Sequence, residues 1–393
     1  MYNRNKSYTI NTKFESVKEK KPMDERMQKL AYNLVNYSCR LQKDEKVWIS
    51  CNGTQAIPLV KQIIKEVYKK EAIPFLDFKT NELEREILMH TTKEQLKFMA
   101  ENDARKMKEM NAYIGVRADN NSAELADVPS EKLELYETLY MSPVHHEIRV
   151  PHTKWVVLRY PTASMAQSAH TSLEDFENFY YEVCNLDYSK MSKAMDKLVN
   201  LMNKTDKVRL TAVNTDITFS IKDIPAVKCA GQCNIPDGEV YTAPVKDSIN
   251  GVITYNTPSE YNSFMFTDVR LTFKDGKIVD CDSNNKERLE KVFNTDEGAR
   301  YIGEFAIGVN PYILNPMNNI LFDEKIMGSI HFTPGNCYDD AYNGNKSAIH
   351  WDLVLIQTPE YGGGEIYFDD VLIRKDGKFV IPELEVLNPE NLK

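Results

Sequence analysis

Several things are missing from this chain, and each absence narrows what it can be. No apolar run approaches the roughly 20 residues that cross a bilayer, so a helical membrane span is not expected. The N-terminal MYNRNKSYTINTKF holds no apolar core of a secretory leader, which sets the expectation of a cytoplasmic protein. Basic charge is in deficit: 49 Lys and Arg face 58 Asp and Glu, for a net −9. A nucleic-acid partner bound through counterion release is therefore not expected. The seven cysteines are odd in number and irregular in spacing, and read as reduced thiols rather than a disulfide framework. Cys229 and Cys233 form the one close pair, with no matching pair or histidine nearby, so a thiolate metal site is not expected there. Phosphate-binding glycine motifs are missing too. Asn52-Gly53-Thr54 follows the first strand-like run, but neither GxGxxG nor GxxxxGKS/T occurs, so no dinucleotide site is expected.

What is present describes an ordinary water-exposed protein with 42% apolar and 27% charged residues. Its 393 residues exceed what one core fills, and two domains are expected after a flexible tail over 1–22. That tail carries six Lys/Arg against two Glu without periodicity. From Asp24, Met27, Leu30, Ala31, Leu34, Tyr37, Ser38 and Leu41 follow helical spacing. Strand-like VWISC (47–51), a helix carrying Ile57, Val60, Ile63, Ile64 and Val67, and strand-like AIPFLDF (72–78) make a βαβ unit. A helix over 93–109, AYIGVR (112–117), a helix from Ser130 and KWVVLRY (154–160) continue the alternation. The region 23–200 is thus expected to be an α/β domain with a largely parallel sheet. Thr171–Met191 reads as a helix capped by Thr171 or Ser172, with Phe176, Phe179, Tyr180 and Val183 toward the core, and a further helix is expected to about Asn203.

Beyond residue 200 the pattern changes to short strands broken by turns, at 208–213, 217–221, 252–255, 269–273 and 277–279, with one helix over 283–293. Asp275-Gly276 and Asp376-Gly377 each lie between β-type runs and signal hairpins. The region 201–393 is expected to be an α+β domain rich in antiparallel strands that carries the chemistry.

The chemistry-bearing residues gather between 230 and 352. Glu239 follows the turn Pro236-Asp237-Gly238, and Glu304 sits inside the apolar run YIGEFAIG, where an unpaired carboxylate is costly to bury. His331 ends IMGSIH. His350 and Asp352 flank Trp351 in AIHWDLVLI, and strand alternation would put both on one face with Trp351 on the other. Taken singly, each has an ordinary alternative: a hydrogen-bonded buried His–Asp pair, a satisfied histidine, a charged rim residue. Together, two imidazoles and three carboxylates without a thiolate suit one or two of zinc, cobalt, manganese or magnesium. Such ions hydrolyse carbonyl or phosphoryl centres through an activated water.

The segments NIPDGEVYTAPVKDSING (234–251), GEFAIG (303–308), GSIHFTPGNCY (328–338) and NKSAIHWDL (345–353) closely resemble the aminopeptidase T and aminopeptidase S-like metallopeptidases. RYPTASMAQ (159–167) and DFENFYYEVCNLDY (175–188) resemble that family's linker region, and the likeness runs from about residue 24 to the C-terminus. The resemblance implies a dinuclear metal exopeptidase that removes N-terminal residues from short peptides. It implies Glu239, Glu304, His331, His350 and Asp352 as metal ligands, with Glu304 or Asp352 bridging. The tyrosine of the family motif falls on Tyr338, seven residues after His331, and would donate a hydrogen bond to the tetrahedral intermediate. Glu239 is the choice for general base. The resemblance further implies a cytosolic homodimer whose active sites face an internal cavity. Two rival readings remain at this stage, a metal phosphoesterase and a non-enzymatic, metal-stabilised binding protein.

Overall fold

Asp24 accepts a hydrogen bond from the Arg26 amide, an N-cap that lets Glu25–Asn33 begin as a helix. It opens a computed structural model that describes residues 24–121, 123–262 and 264–393, so the expected tail over 1–22 lies outside the described residues. Leu30, Ala31 and Leu34 are buried, as their helical spacing requires. Four parallel strands follow, Lys46–Asn52, Ile73–Lys79, Ala112–Arg117 and Lys154–Arg159. In space they run 73–79, 46–52, 112–117, 154–159, and the short strand Asn234–Ile235 joins as a fifth. The α/β expectation holds here; the helices Ile57–Lys69 and Lys93–Lys108 make the first two crossovers and the helical stretch that begins at Ser130 makes the third.

Details differ from the sequence reading for physical reasons. Ile73–Lys79 is a strand as expected, at the sheet edge, and its Ile73, Phe75, Leu76 and Phe78 are exposed. The helix Asn81–His90, capped by Thr80 accepting from the Leu83 amide, was not expected, because Leu83 and Ile87 remain exposed and leave no apolar stripe. The helix expected over 171–191 ends earlier, as Leu173–Cys184, and the further helix expected to about 203 is Tyr188–Met202. Asn185 ends the first, and the Asp187 side chain caps the second by accepting from the Lys190 amide. Ser172 is the N-cap of the first, and Phe176, Tyr180 and Val183 are buried as expected.

The remainder is largely antiparallel. An eight-stranded sheet contains Arg270–Lys274 and Lys277–Asp282, joined at Asp275-Gly276, and Val371–Lys375 and Lys378–Phe379, joined at Asp376-Gly377. Both turns have two residues with positive φ, 48° and 81° in the first, 49° and 81° in the second. That backbone matches the twist of a hairpin and favours Asp-Gly.

A second antiparallel sheet orders its strands Val354–Ile356, Ser329–Pro334, Ile302–Gly308, Glu239–Thr242, Val227–Cys229. Its apolar face presents Phe305 and Phe332, which pack with Phe219 and Phe273 from the eight-stranded sheet. Its other face carries the polar residues. The His350–Asp352 segment was expected inside a strand, but the strand begins only at Val354. The Trp351 amide donates to the Pro334 carbonyl at 3.1 Å, and Pro334 has no N–H to return the bond, so the ladder is interrupted there. Among the described residues no helix is long and apolar enough to cross a membrane.

Candidate metal centre

The central strand Ile302–Gly308 sets the geometry. Ala306 is paired with His331 on one side, and Gly308 with Glu239 on the other. Because side chains alternate, Glu304, His331, Thr333 and Glu239 share the polar face. Ala306 and Gly308, the central residues on that face, contribute almost no side-chain bulk, so the flanking ligand-type groups lean together over them. Trp351 faces away, packed on Tyr261 and Phe266 with Nε1 donating to Ser259 Oγ at 2.8 Å. This anchor turns His350 and Asp352 toward the same face.

All five expected ligands converge. His331 Nε2 lies 3.1 Å from Glu304 Oε1 and 3.3 Å from Glu239 Oε2. His350 Nε2 lies 3.3 Å from both Glu304 Oε2 and Asp352 Oδ1. Two triads result, Glu239–Glu304–His331 and Glu304–His350–Asp352, each with its donor atoms within 4.8 Å of one another. They share Glu304, which turns one oxygen toward each. The outer atoms are fixed as metal ligands require. His350 Nδ1 donates to the Asn336 carbonyl at 2.8 Å, leaving Nε2 bare, and Thr333 Oγ1 donates to Asp352 Oδ1 at 2.7 Å.

Two charged residues not singled out in the sequence complete the cluster. Lys325 is buried; its ammonium donates to Glu239 Oε1 at 2.8 Å, also bonds Glu324, and lies 3.9 Å from Asp237. Glu324 stands with His331 and Asp352 as a further ligand-capable triad. Asp237 accepts from the Gly231 and Gly238 amides, yet burial pushes its carboxyl up to about 7 against the pull of Lys325. Burial likewise pushes Glu324 up to about 8, with Lys325 opposing. At His331 burial disfavours the imidazolium, but Glu239 and Glu304 outweigh it and lift the group to about 9. Asp352 moves the other way: burial raises it, while His350 and Thr333 hold it well below the carboxylate range. Three carboxylates, Glu239, Glu304 and Asp352, thus face one another with protonated imidazoles held between them, and Glu239 Oε2 and His350 Nε2 are buried without a hydrogen-bond partner. Ligand atoms left unpartnered among converging carboxylates, with imidazole protons standing where a cation would, are what a divalent cation satisfies. The residues fit the ion.

Tyr338 is half exposed at the rim, its ring 4.9 Å from that of His350 and 5.6 Å from that of Tyr241. The Tyr241 hydroxyl donates to Asp340 at 2.9 Å. Beside the centre a cavity of about 500 Å³ opens, with His350, Trp351 and Asp352 on one wall and Arg117, Asp119 and Arg159 on the wall formed by the parallel sheet.

Residues 23–379 match the family model of the thermophilic metalloproteases (M29), and the chain belongs to that family. Aminopeptidase 2 of Geobacillus stearothermophilus is 23% identical over 406 aligned positions, covering 90% of this chain and 95% of the relative. Wild-type AmpT from Thermus thermophilus superposes with a TM-score of 0.76 at 20% identity, covering 91% of this chain and 99% of that one. The 2,5-dihydroxypyridine dioxygenase of Pseudomonas putida KT2440 shares the fold with a TM-score of 0.60 at 13% identity, covering 91% and 98%. Both structural matches establish the fold; neither establishes the chemistry.

Proposed function

We propose that this chain is a metal-dependent aminopeptidase that removes N-terminal residues from short peptides at a two-ion site. The observation that carries the reading is Glu304, whose two oxygens face His331 and His350 separately and join the two triads. Glu239 and His331 would hold one ion, His350 and Asp352 the other, and Glu304 would bridge them. Zinc, cobalt, manganese and magnesium all remain compatible with this donor set. When bound, such ions polarise the scissile carbonyl and activate a water for attack.

The chain's own residues do the remaining work. Lys325 fixes the Glu239 carboxylate by holding Oε1, which leaves Oε2 directed at His331. Glu239 was the choice for general base, but this double engagement suits it better as a ligand. Glu324, beside His331 and Asp352 and raised by burial to about 8, is placed to exchange a proton with the reacting groups. Tyr338, at the rim over His350, would donate a hydrogen bond from its hydroxyl to the developing oxyanion. The substrate's free amine would meet the carboxylate-rich end of the site, which accounts for exopeptidase selectivity.

The division into domains 23–200 and 201–393, the cytoplasmic location and the homodimer belong to the same proposal. The exposed edge strand with Ile73, Phe75, Leu76 and Phe78 supports self-association, because an unpaired apolar edge is a template for a second copy. A metal phosphoesterase draws support from Arg117 and Arg159 facing the cavity, but the metalloprotease family membership favours the peptidase. Release of chromophore from leucine p-nitroanilide, abolished by chelator and restored by cobalt or zinc, is the expected result. A metal-loaded protein inert on aminoacyl substrates yet active on p-nitrophenyl phosphate would overturn the reading.

A further inference from the structure

Arg117 and Arg159 stand side by side as register partners at the carboxyl ends of adjacent parallel strands. Ligands of open α/β sheets bind at that end. Several other arginines are matched by a carboxylate, among them Arg85 with Asp127, Arg209 with Asp216 and Arg300 with Glu290. Arg117 and Arg159 have no side-chain hydrogen bond or ion pair among the described residues, although both line the cavity that His350 and Asp352 bound on its other wall. Partial desolvation and the charge of Arg117 hold the Arg159 guanidinium below its ordinary range, with Asp119 opposing. Two adjacent cations kept unpaired in a cleft favour any anion that joins them. Their planar forks match a carboxylate with paired hydrogen bonds.

The other charged groups around the cavity do not supply that anion. Asp119 lies on the same wall and offsets one of the two charges, with one carboxylate oxygen buried and unpartnered. Asp323 has its oxygens occupied by the Met317 and Asn319 amides, at 2.6 and 3.1 Å. Glu260 is exposed at the rim. Asp352 and Glu304 belong to the candidate metal centre. The cleft is therefore cationic at the sheet and lined by a carboxylate at the candidate metal centre. A peptide zwitterion has the same polarity, and about 500 Å³ is the scale of a small-ligand site.

We propose that Arg117 and Arg159 bind a carboxylate carried by the substrate on the leaving-group side of the scissile bond. The inference rests on the aminopeptidase reading and gives it a substrate class: short peptides whose carboxylate spans the cleft. That carboxylate is either the peptide C-terminus or an acidic side chain following the cleaved residue.

The test compares Leu-Gly-Gly, Leu-Gly-Gly-amide and Leu-Glu-amide as substrates of the metal-loaded full chain, in wild type, Arg117→Gln, Arg159→Gln and the double variant. In parallel, calorimetry measures binding of a reduced-bond Leu-Gly analogue, which cannot be cleaved, and of its amide. The wild type is expected to favour a carboxylate-bearing peptide over its neutral counterpart by at least about tenfold in kcat/KM, as a charged hydrogen-bonded contact gives. The analogue is expected to show the same preference in binding, and the double variant to bring both ratios to about one. Preference for Leu-Gly-Gly assigns the arginines to the terminal carboxylate, and preference for Leu-Glu-amide assigns them to the side chain. Equal handling of charged and neutral forms by the wild type, or a ratio that survives in the double variant, overturns the proposal. If no peptide is cleaved, the aminopeptidase reading fails, while the binding ratio still decides whether the arginines take a carboxylate.

Discussion

His331 and Glu304 stand on adjacent antiparallel strands with Nε2 3.1 Å from Oε1, both buried. A one-residue slip of either strand would send its side chain to the apolar face. Paired phenylalanines on the opposite face fix that register, so the hydrophobic core positions the polar site. Phe305 pairs with Phe332 directly, at a ring separation of 6.2 Å.

Lys325 neutralises carboxylates that the fold has already taken out of water. Replacing it, as Lys325→Met, leaves Glu239 and Glu324 without their cation. The metal-free protein is expected to lose about 3–5 kcal/mol of stability, the scale for breaking a buried ion pair. Denaturant midpoints of metal-free wild type and variant measure this. A change under about 1 kcal/mol would mean the ammonium is not buried against the two carboxylates.

Tyr338 is half exposed, and its hydroxyl has no hydrogen-bond partner among the described residues. Tyr338→Phe should therefore fold normally. Loss of a donor to the transition state is expected to lower kcat by about 10- to 100-fold while KM moves less than about threefold. A variant with wild-type kcat would confine Tyr338 to packing against His350.

His145 gives the protein an acid-sensitive element away from the metal centre. It is buried against the rings of Tyr113 and Tyr140, and burial, followed by the charge of Arg149, pushes it down to about 3 from an ordinary 6.5. The unfolded chain binds a proton below pH 6.5 and the folded chain does not until about 3. Stability is therefore complete above pH 6.5 and is lost as pH falls toward 3, at a slope of at most about 1.4 kcal/mol per pH unit. Urea midpoints between pH 7 and 4 should show this slope, and His145→Gln should flatten it. An unchanged slope would assign acid sensitivity to other groups.

Phe75 and Phe78 on the edge strand test self-association. Phe75→Asp with Phe78→Asp should convert a dimer to a monomer in light scattering. A double variant that keeps the wild-type mass would exclude this edge from the interface.

The sequence disclosed the site where local chemistry was out of place, and missed it where only the fold brings residues together. Glu304 stood out because a carboxylate inside YIGEFAIG is costly to bury, and His350 and Asp352 because of their spacing. Glu324 and Lys325 carry no local signal in the sequence, and only the fold brings the Lys325 ammonium against Glu239. Arg117 and Arg159 end two runs 42 positions apart in number, and only the strand order makes them neighbours. The parallel sheet was legible from its alternating runs. The helix Asn81–His90 was not, because Leu83 and Ile87 serve no core.

Metal stoichiometry tests the shared-carboxylate centre most directly. Metal-free protein titrated with cobalt, followed by visible absorption and by cleavage of leucine p-nitroanilide, should saturate at two equivalents per chain. Glu304→Gln should weaken both steps by at least about tenfold and lower turnover by about a thousandfold, since it removes the group common to both triads. Saturation at a single equivalent, or a Glu304→Gln variant that binds and turns over like wild type, would contradict a two-ion site built on Glu304.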